Sequence, residues 1–283
     1  MLTILEVLKR TTEFFEEKGI GNAKLNAELI LAYGLGLPKR MDLYLQFDRP
    51  LEESELEGIR PLVKRRGSRE PIQYIESRVD FMGVDFKVDS RVLIPRPETE
   101  ELVERTGDWL QDFPPRRILD LGTGCGVIAL SLARMFPESG ILATDVSADA
   151  LALAQENAAA QGLAERVQFM EADWLSGVVG TFDLIVSNPP YLAQAEFDQA
   201  ESEVRNHEPH EALVSSGANG EGCLLAILSG AVTVLNDSGL LAMETGISQR
   251  EILESKAGAL GYAEFLQEAD LSGRDRFFFA KKG

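Results

Sequence analysis

The sequence has few cysteines, few basic residues and no long apolar run. Its 283 residues include two cysteines, Cys125 and Cys223, too few for a disulfide framework and without the spacing of a metal site. No hydrophobic stretch approaches the roughly 18 residues that span a bilayer. The first 18 residues contain four glutamates and do not resemble a signal peptide. These absences predict a metal-free cytoplasmic protein with no membrane partner.

Basic charge is scarce and unevenly distributed. The chain has 28 Lys and Arg residues against 46 Asp and Glu residues, which gives a formal net charge of −18. The first 70 residues carry 12 basic and 12 acidic side chains, so the whole excess of negative charge lies in the rest of the chain. Because affinity for a phosphate backbone depends on Lys and Arg, the sequence predicts no stable nucleic-acid partner.

The hydrophobic pattern divides the chain into three parts. Residues 1–72 place apolar side chains such as Ile4, Leu8 and Phe15 at helical spacing. Apolar residues then alternate, which indicates a β-hairpin over residues 73–89 within a linker of residues 73–92. Residues 93–283 alternate strand and helix patterns and end in two strands, which we expect to pair antiparallel. The predicted fold class is α/β, with a doubly wound, mostly parallel sheet and a small N-terminal helical domain.

A glycine-rich turn lies between the first strand and first helix of this alternation, over residues 120–126. It contains Gly-x-Gly-x-Gly, one residue shorter than the Gly-x-Gly-x-x-Gly of a dinucleotide site. Asp145 ends the next strand, where a carboxylate can accept both hydroxyls of a ribose. Asp173 and Trp174 follow the third strand, where they can bracket the edge and face of an adenine. Together these features predict a site for S-adenosylmethionine.

A second motif, Asn188-Pro189-Pro190-Tyr191, follows a short apolar run that indicates a buried strand. Each proline disfavours helical conformation in the residue before it, so the chain leaves the strand extended. The Asn188 amide and the Pro189 carbonyl are then held as oriented acceptors beside the ring of Tyr191. Such a set suits a planar group that carries an NH₂, and an ordinary Asn-Pro turn is the alternative interpretation.

The motifs and their order resemble the HemK/PrmC family, the peptide chain release factor glutamine methyltransferases. The resemblance covers nearly the whole chain and rests on residues 94–100, 120–126, 187–191, 208–213 and 270–275. It implies a class I, Rossmann-like methyltransferase. The implied reaction moves a methyl group from S-adenosylmethionine to the side-chain amide nitrogen N5 of a glutamine, leaving S-adenosylhomocysteine. That glutamine lies in the Gly-Gly-Gln loop of a translation release factor.

The resemblance also implies which residues form the site. The implied cofactor contacts are Gly122, Thr123, Gly124, Cys125, Gly126, Asp145, Asp173, Trp174 and Asn188. The substrate glutamine is held by Asn188, Pro189, Pro190 and Tyr191, of which Asn188, Pro189 and Tyr191 are the expected catalytic residues. If Asn188 Oδ1 and the Pro189 carbonyl accept both N–H groups, they stabilise the charge that the nitrogen gains. No strong general base is needed, because an alkylated amide cation loses its proton readily.

Three alternative functions remain open from the sequence. A glutamine methyltransferase that acts on a ribosomal protein would share every catalytic motif. A DNA adenine methyltransferase shares Asn-Pro-Pro-Tyr but would be expected to have a basic cleft and a target-recognition region. A redox protein of a different class would be expected to have the missing Gly-x-x-Gly step or ligands for a flavin or haem.

Residues 1–72 carry no candidate chemistry, and we expect them to dock the protein substrate. They contain a basic cluster made of Arg60, Lys64, Arg65, Arg66 and Arg69. A solvated helix face is the simpler interpretation of that cluster. A lid that merely stabilises the catalytic domain is the alternative role for the whole segment.

Overall fold

The computed structural model describes residues 1–283, which form two compact units. The helical unit comprises residues 1–77 together with residues 201–207. The sheet unit comprises residues 78–200 and 208–283. No helix in either unit has both the length and the hydropathy that a membrane span requires.

The secondary structure consists of eleven α-helices, two short 3-10 helices and nine strands. The α-helices are α1 (Ile4–Glu17), α2 (Ala23–Gly34), α3 (Glu53–Gly67), α4 (Ile72–Glu76), α5 (Pro97–Leu110), α6 (Val127–Met135), α7 (Ala148–Ala160), α8 (Gln194–Phe197), α9 (Ser202–His207), α10 (Gly222–Val234) and α11 (Arg250–Leu260). The 3-10 helices are Arg40–Gln46 and His210–Ala212. The strands are β1 (Arg78–Phe81), β2 (Val84–Lys87), β3 (Arg117–Leu121), β4 (Gly140–Asp145), β5 (Val167–Glu171), β6 (Phe182–Ser187), β7 (Leu235–Glu244), β8 (Tyr262–Ala269) and β9 (Asp275–Lys282).

The helical unit is built around one apolar core. Helix α1 begins at a capping box in which Thr3 and Glu6 exchange side-chain and backbone hydrogen bonds. Its buried face, which includes Ile4, Leu8 and Phe15, packs with apolar residues of α2, α3 and the first 3-10 helix. The helical spacing seen in the sequence is therefore the spacing of a core.

Helix α9 completes the helical unit although it lies far along the chain. Glu203 accepts hydrogen bonds from Arg66 Nη2 at 2.9 Å and Arg69 Nη1 at 3.1 Å. The chain thus leaves the sheet unit after Ala200, adds one short helix to the helical unit, and returns at Glu208. No pattern in the sequence pointed to this excursion.

The predicted hairpin is shorter in the structure than residues 73–89. Strands β1 and β2 pair antiparallel from Arg78↔Lys87 to Phe81↔Val84. Met82 and Gly83 form the turn between them, and both have positive φ, 51° for Met82 and 75° for Gly83. The residues before the hairpin form the short helix α4 instead of a strand. The apolar positions that look like a strand pattern in the sequence include Tyr74 and Ile75, which this helix buries.

The sheet unit contains a seven-stranded sheet in the order β5-β4-β3-β6-β7-β9-β8. The first five strands in that order are parallel, and β9 pairs antiparallel with both β7 and β8. The predicted doubly wound, mostly parallel sheet with an antiparallel final pair is confirmed. The sequence pattern predicts a helix over residues 220–236 and a strand over residues 240–244, whereas in the structure α10 ends at Val234 and β7 begins at Leu235.

The chain order reverses between β3 and β6, the two central strands. From β3 the chain winds outward through β4 and β5, and from β6 it winds outward through β7. Ligands of open α/β sheets bind at such a switch point, outside the carboxyl ends of the strands. Leu121, Asp145, Ser187 and Glu244 occupy those ends, so the functional site is expected beside them.

Candidate functional site

A cleft of about 230 Å³ lies at this edge of the sheet. Nine of the residues predicted to form the site line it: Gly122, Thr123, Gly124, Cys125, Asp145, Asp173, Trp174, Asn188 and Pro190. Three others do not, namely Gly126, Pro189 and Tyr191. Further lining comes from the segment before α5, including Arg91, Leu93 and Pro95, and from the second 3-10 helix. The cleft therefore brings together segments that are more than 100 residues apart.

The glycine turn has a backbone that only glycine adopts easily. Gly122, Gly124 and Gly126 all have positive φ, between 55° and 88°. Gly126 also sits against α7, because an added Cβ would lie 3.3 Å from the Cβ of Ala154. Gly126 therefore supports the turn and starts α6, while Gly122 and Gly124 border the cleft.

Asp145 is held at the end of β4 by backbone hydrogen bonds. Its Oδ2 accepts from the N–H of Gly124 at 2.9 Å, and its Oδ1 accepts from the N–H of Ser147 at 2.9 Å. Burial raises the pKa of this carboxyl above its ordinary value. Each carboxylate oxygen keeps a second lone pair, so Asp145 can still accept from hydroxyl groups in the cleft.

Asp120 is fully buried at the start of the glycine turn. Its Oδ2 accepts from Thr123 Oγ1 at 2.6 Å and from the N–H of Ala129 at 3.1 Å. Its Oδ1 has no hydrogen-bond partner. Burial raises the pKa of Asp120 to about 7. An unpartnered buried carboxylate oxygen is rare in a folded protein and calls for a donor.

Trp174 forms part of the cleft wall beside Gly122. It adopts the left-handed conformation, with φ of 50°, and a Cβ on Gly122 would lie 3.6 Å from its Cζ3. Positive φ is uncommon for a bulky residue and indicates a functional constraint. Asp173, next to it, is exposed and also lines the cleft. The predicted pair of an indole and a carboxylate is therefore present at the cleft.

These residues fit S-adenosylmethionine. The glycine turn leaves space for close approach, Asp145 offers acceptors for ribose hydroxyls, and Trp174 offers a flat apolar face. The unpartnered Asp120 Oδ1 suits a cationic donor, which the amino group of the methionine part would supply. No group of three or more His, Cys, Asp or Glu side chains is arranged to hold a metal ion.

Asn188 lies where β6 ends, anchored from both sides. The preceding residue, Ser187, donates from Oγ to the Leu121 carbonyl at 2.7 Å, which ties β6 to β3. The Asn188 side chain donates from Nδ2 to Thr99 Oγ1 at 2.9 Å. Asn188 is half-buried and lines the cleft, whereas Pro189 is buried and does not line it.

The Tyr191 hydroxyl points away from the cleft into a buried polar group. It donates to Glu244 Oε1 at 2.8 Å and accepts from Arg276 Nη1 at 3.3 Å. Burial raises the pKa of Tyr191 well above its ordinary value, and burial also raises the pKa of Glu244. Gln249 Nε2 donates to the Tyr191 carbonyl at 2.8 Å. The tyrosine is thus held at its hydroxyl and at its backbone.

The sequence interpretation missed Thr99, Glu244, Arg276 and Gln249, which surround the Asn188–Tyr191 motif. A signal existed for Glu244, because it ends the strand next to β6 just as Asp145 ends β4. Thr99 lies inside the segment of residues 94–100 that carried the family resemblance. Neither histidine belongs to this group, since His207 contacts Ser68 and His210 contacts Gln194.

Two family descriptions match the chain, each on one part. The PrmC N-terminal domain matches residues 6–76, and the Methyltransferase small domain matches residues 106–218. The release factor glutamine methyltransferase of Chlorobaculum tepidum is 44% identical over 252 residues, covering 86% of this chain and 85% of that relative. That of Rhodopirellula baltica is 37% identical, covering 99% and 96%.

The chain belongs to the release factor glutamine methyltransferase family. This confirms the resemblance read from the motifs, and it makes the chain an S-adenosylmethionine-dependent methyltransferase. The redox alternative is thereby excluded. Which residues of the cleft bind cofactor and substrate in this family member stays a prediction.

Solved structures show the same fold at low sequence identity. A methyltransferase from Pyrococcus furiosus is 20% identical with a TM-score of 0.52, over 71% of this chain and 90% of the other. A T. thermophilus 16S rRNA methyltransferase is 19% identical with a TM-score of 0.52, over 73% and 50%. At this identity the likeness concerns the fold alone, and it supports the Rossmann-like sheet unit.

Proposed function

We propose that this enzyme methylates N5 of the glutamine in the Gly-Gly-Gln loop of peptide chain release factors. The observation that carries the proposal is the position of Asn188 at the carboxyl end of β6, on the wall of the cleft whose glycine turn fits S-adenosylmethionine. Relatives that carry the name release factor glutamine methyltransferase cover nearly the full chain. Peptide release accompanies protein synthesis, so the proposed substrate places the enzyme in the cytoplasm.

The substrate nitrogen must be activated for this reaction. An amide nitrogen is a poor nucleophile because its lone pair is delocalised into the carbonyl. Bound S-adenosylmethionine supplies an electrophilic methyl group on sulfur. Asn188 Oδ1, on the cleft wall, accepts a hydrogen bond from one N–H of the substrate amide. The Pro189 carbonyl accepts from the other, although Pro189 does not line the ligand-free cleft. These contacts stabilise the positive charge that the nitrogen gains as it attacks, and they aim its lone pair along the line of transfer.

The remaining cleft residues have binding roles in this proposal. Asp145 accepts the ribose hydroxyls, and Trp174 and Asp173 bracket the adenine. Gly122 to Gly126 provide a backbone that leaves room for the ligand. Pro190 borders the cleft near Asn188, and Tyr191 holds the motif through its buried hydroxyl. Metal ions have no part in the scheme.

Recognition of the intact protein substrate is assigned to residues 1–72. A Gly-Gly-Gln loop is too small to supply the surface of a specific complex, which buries about 800 Å² per partner. Exposed apolar side chains on the first 3-10 helix support a docking role, since Leu45 is 85% exposed and Met41 57% exposed. The basic cluster supports it less, because Arg60, Arg65, Arg66 and Arg69 are all paired with glutamates.

The alternative substrates, DNA and a ribosomal protein, would require different charge on the enzyme surface and different use of the cleft. A DNA substrate would meet a protein whose net charge is −18, which opposes contact with phosphates. A ribosomal protein substrate would use the same cleft. Incubation of the enzyme with S-adenosylmethionine and a release factor, or a ribosomal protein mixture, followed by mass spectrometry of the peptides, separates them. The proposal expects one added methyl group on the Gly-Gly-Gln glutamine of the factor. Methylation of a ribosomal protein alone would contradict it.

A further inference from the structure

A chain of hydrogen bonds runs from the cleft into a buried carboxylate. Asn188 Nδ2 donates to Thr99 Oγ1 at 2.9 Å, and Thr99 Oγ1 donates to Glu244 Oε2 at 2.7 Å. Thr99 is 2% exposed and Glu244 is 1% exposed, so water does not compete for these bonds. Thr99 comes from the first turn of α5 and Glu244 from the end of β7. The chain therefore joins three separate elements.

The direction of this chain is set by the carboxylate. Burial raises the pKa of Glu244, but hydrogen bonds from Thr99 and Tyr191 and the charge of Arg276 favour its ionised form. An ionised carboxylate only accepts hydrogen bonds, so the single hydroxyl proton of Thr99 is directed at Glu244. Thr99 Oγ1 then has only lone pairs left for Asn188. The group of Asn188 that faces Thr99 must be the NH₂, and its carbonyl oxygen Oδ1 is left for a donor from the cleft.

The other oxygen of Glu244, Oε1, also accepts a hydrogen bond from a hydroxyl group. Tyr191 donates to Glu244 Oε1 at 2.8 Å while Arg276 Nη1 donates to the Tyr191 oxygen at 3.3 Å. Because a guanidinium is only a donor, the tyrosine proton has no acceptor in Arg276 and is directed at Glu244. Both oxygens of Glu244 thus accept from hydroxyls.

We propose that Thr99 and Glu244 are positioning residues that set the polarity of Asn188 and thereby the preference for an amide substrate. With Oδ1 toward the cleft, Asn188 accepts from an NH₂ and repels a carboxylate side chain. With the amide reversed, Asn188 would donate to a carboxylate and would not hold the N–H of glutamine. This inference rests on the proposed function for its substrate, but not for its geometry.

The test compares two buried threonines of α5. Thr99→Val removes the hydroxyl that orients Asn188 while keeping the shape of the side chain. Thr106→Val is the matched control, because Thr106 is fully buried and its hydroxyl donates to the Leu102 carbonyl at 2.7 Å. Thr99→Ser restores the hydroxyl and serves as the rescue variant.

Kinetics with an intact release factor give the first readout. Thr99→Val is expected to lower kcat roughly 10-fold to 10²-fold, because the accepting group is no longer held in place, with an unchanged KM for S-adenosylmethionine. Thr99→Ser should recover most of this loss, and Thr106→Val should match the unaltered enzyme. An unchanged kcat in Thr99→Val would overturn the proposal.

The second readout is how well the enzyme discriminates between an amide and a carboxylate on the substrate side chain. Loss of a purely structural role of Thr99 would not change this discrimination. The probe is the release factor whose Gly-Gly-Gln glutamine is replaced by glutamate, used as a competitive inhibitor. The ratio of its inhibition constant to the KM of the normal factor should fall roughly tenfold in Thr99→Val. A tenfold change in this ratio corresponds to about the free energy of one hydrogen bond. The same ratio in Thr99→Val and Thr106→Val would show that Thr99 does not set the polarity.

A third readout needs no substrate and so survives failure of the proposed function. The side-chain NH₂ signals of Asn188 in a proton–nitrogen correlation spectrum can be assigned by their absence in Asn188→Asp. In the unaltered enzyme and in Thr106→Val, the proton bonded to Thr99 should be protected from exchange with water. In Thr99→Val that protection should be lost. Equal exchange in all three proteins would overturn the proposed orientation of Asn188 by Thr99, even if methylation occurs.

Discussion

Asp120 is fully buried beside the glycine turn, where ionisation of its carboxyl is unfavourable. It accepts two hydrogen bonds through Oδ2, yet Oδ1 is buried without a partner, and burial raises the pKa of the carboxyl from 3.8 to about 7. Without ligand, the folded protein therefore holds a proton on Asp120 over a pH range in which the unfolded chain releases it. A cationic donor bound beside Oδ1 would favour the ionised form.

We expect the free energy of unfolding of the ligand-free enzyme to depend on pH through Asp120. Because the pKa is higher in the folded state, the stabilising contribution is complete below pH ~4 and declines as the pH rises toward ~7. Asp120→Asn removes this decline. Urea unfolding at several pH values in this window measures it, with exposed Asp112→Asn as a control for net charge. Identical pH slopes in all three proteins would contradict the account.

Some site residues could be predicted from sequence and others could not, for a physical reason. Asp145 ends β4, Asn188 directly follows β6, and Trp174 lies shortly after β5. Parallel strands bring their carboxyl ends to one edge. Thr99 and Glu244 are 145 positions apart, and their hydrogen bond exists only because α5 packs beside β7. Local patterns carry no information about such a pairing.

At the scale of elements, strand and helix patterns predicted the sheet unit closely because buried parallel strands are short apolar runs. Misplacements occurred where two periods fit the same residues. Tyr74 and Ile75 lie in a helix of five residues, too short for a helical pattern to outweigh alternation. Leu235, the first residue of β7, continues the apolar pattern of α10, so no change of pattern marks the end of the helix.

Helix α9 was also missed, and it has a testable energetic role. The Arg66 and Glu203 side chains of its ion pair are only 8% and 13% exposed. Removal of one partner leaves the other charge buried, so Glu203→Ala should lower the free energy of unfolding by about 3 kcal/mol.

The matched control for that prediction is Glu53→Ala, which breaks the exposed pair with Arg60. That loss should stay below about 1 kcal/mol, because exposed ion pairs contribute little. Chemical denaturation of the two variants beside the unaltered enzyme measures both values. Equal losses would mean that the Glu203 contact does not hold α9 in the helical unit.

At the scale of the whole molecule, charge is divided unevenly between the two parts of the chain. The first 70 residues are neutral overall, and the rest carries the entire net charge of −18. A docking surface in the neutral part avoids the repulsion that an acidic partner would meet elsewhere. We propose that apolar side chains on Arg40–Gln46 supply the affinity.

Leu45→Asp should therefore reduce kcat/KM for an intact release factor by roughly tenfold, since a buried interface leucine contributes on the order of 1–2 kcal/mol. It should leave methylation of a short Gly-Gly-Gln peptide unchanged. Phe113→Asp is the control, since Phe113 is 83% exposed but belongs to the sheet unit. If both variants behave alike on the intact factor, the docking assignment to the helical unit is wrong.

The central claim is that Asn188, although an implied contact of the cofactor, acts chiefly on the substrate amide and contributes little to cofactor affinity. Its most direct test is a single-turnover measurement with Asn188→Ala, saturating S-adenosylmethionine and an intact release factor, with methylated glutamine quantified by mass spectrometry. We predict a rate at least roughly 10²-fold below that of the unaltered enzyme, together with near-normal cofactor affinity in a calorimetric titration. A rate close to that of the unaltered enzyme would contradict the account.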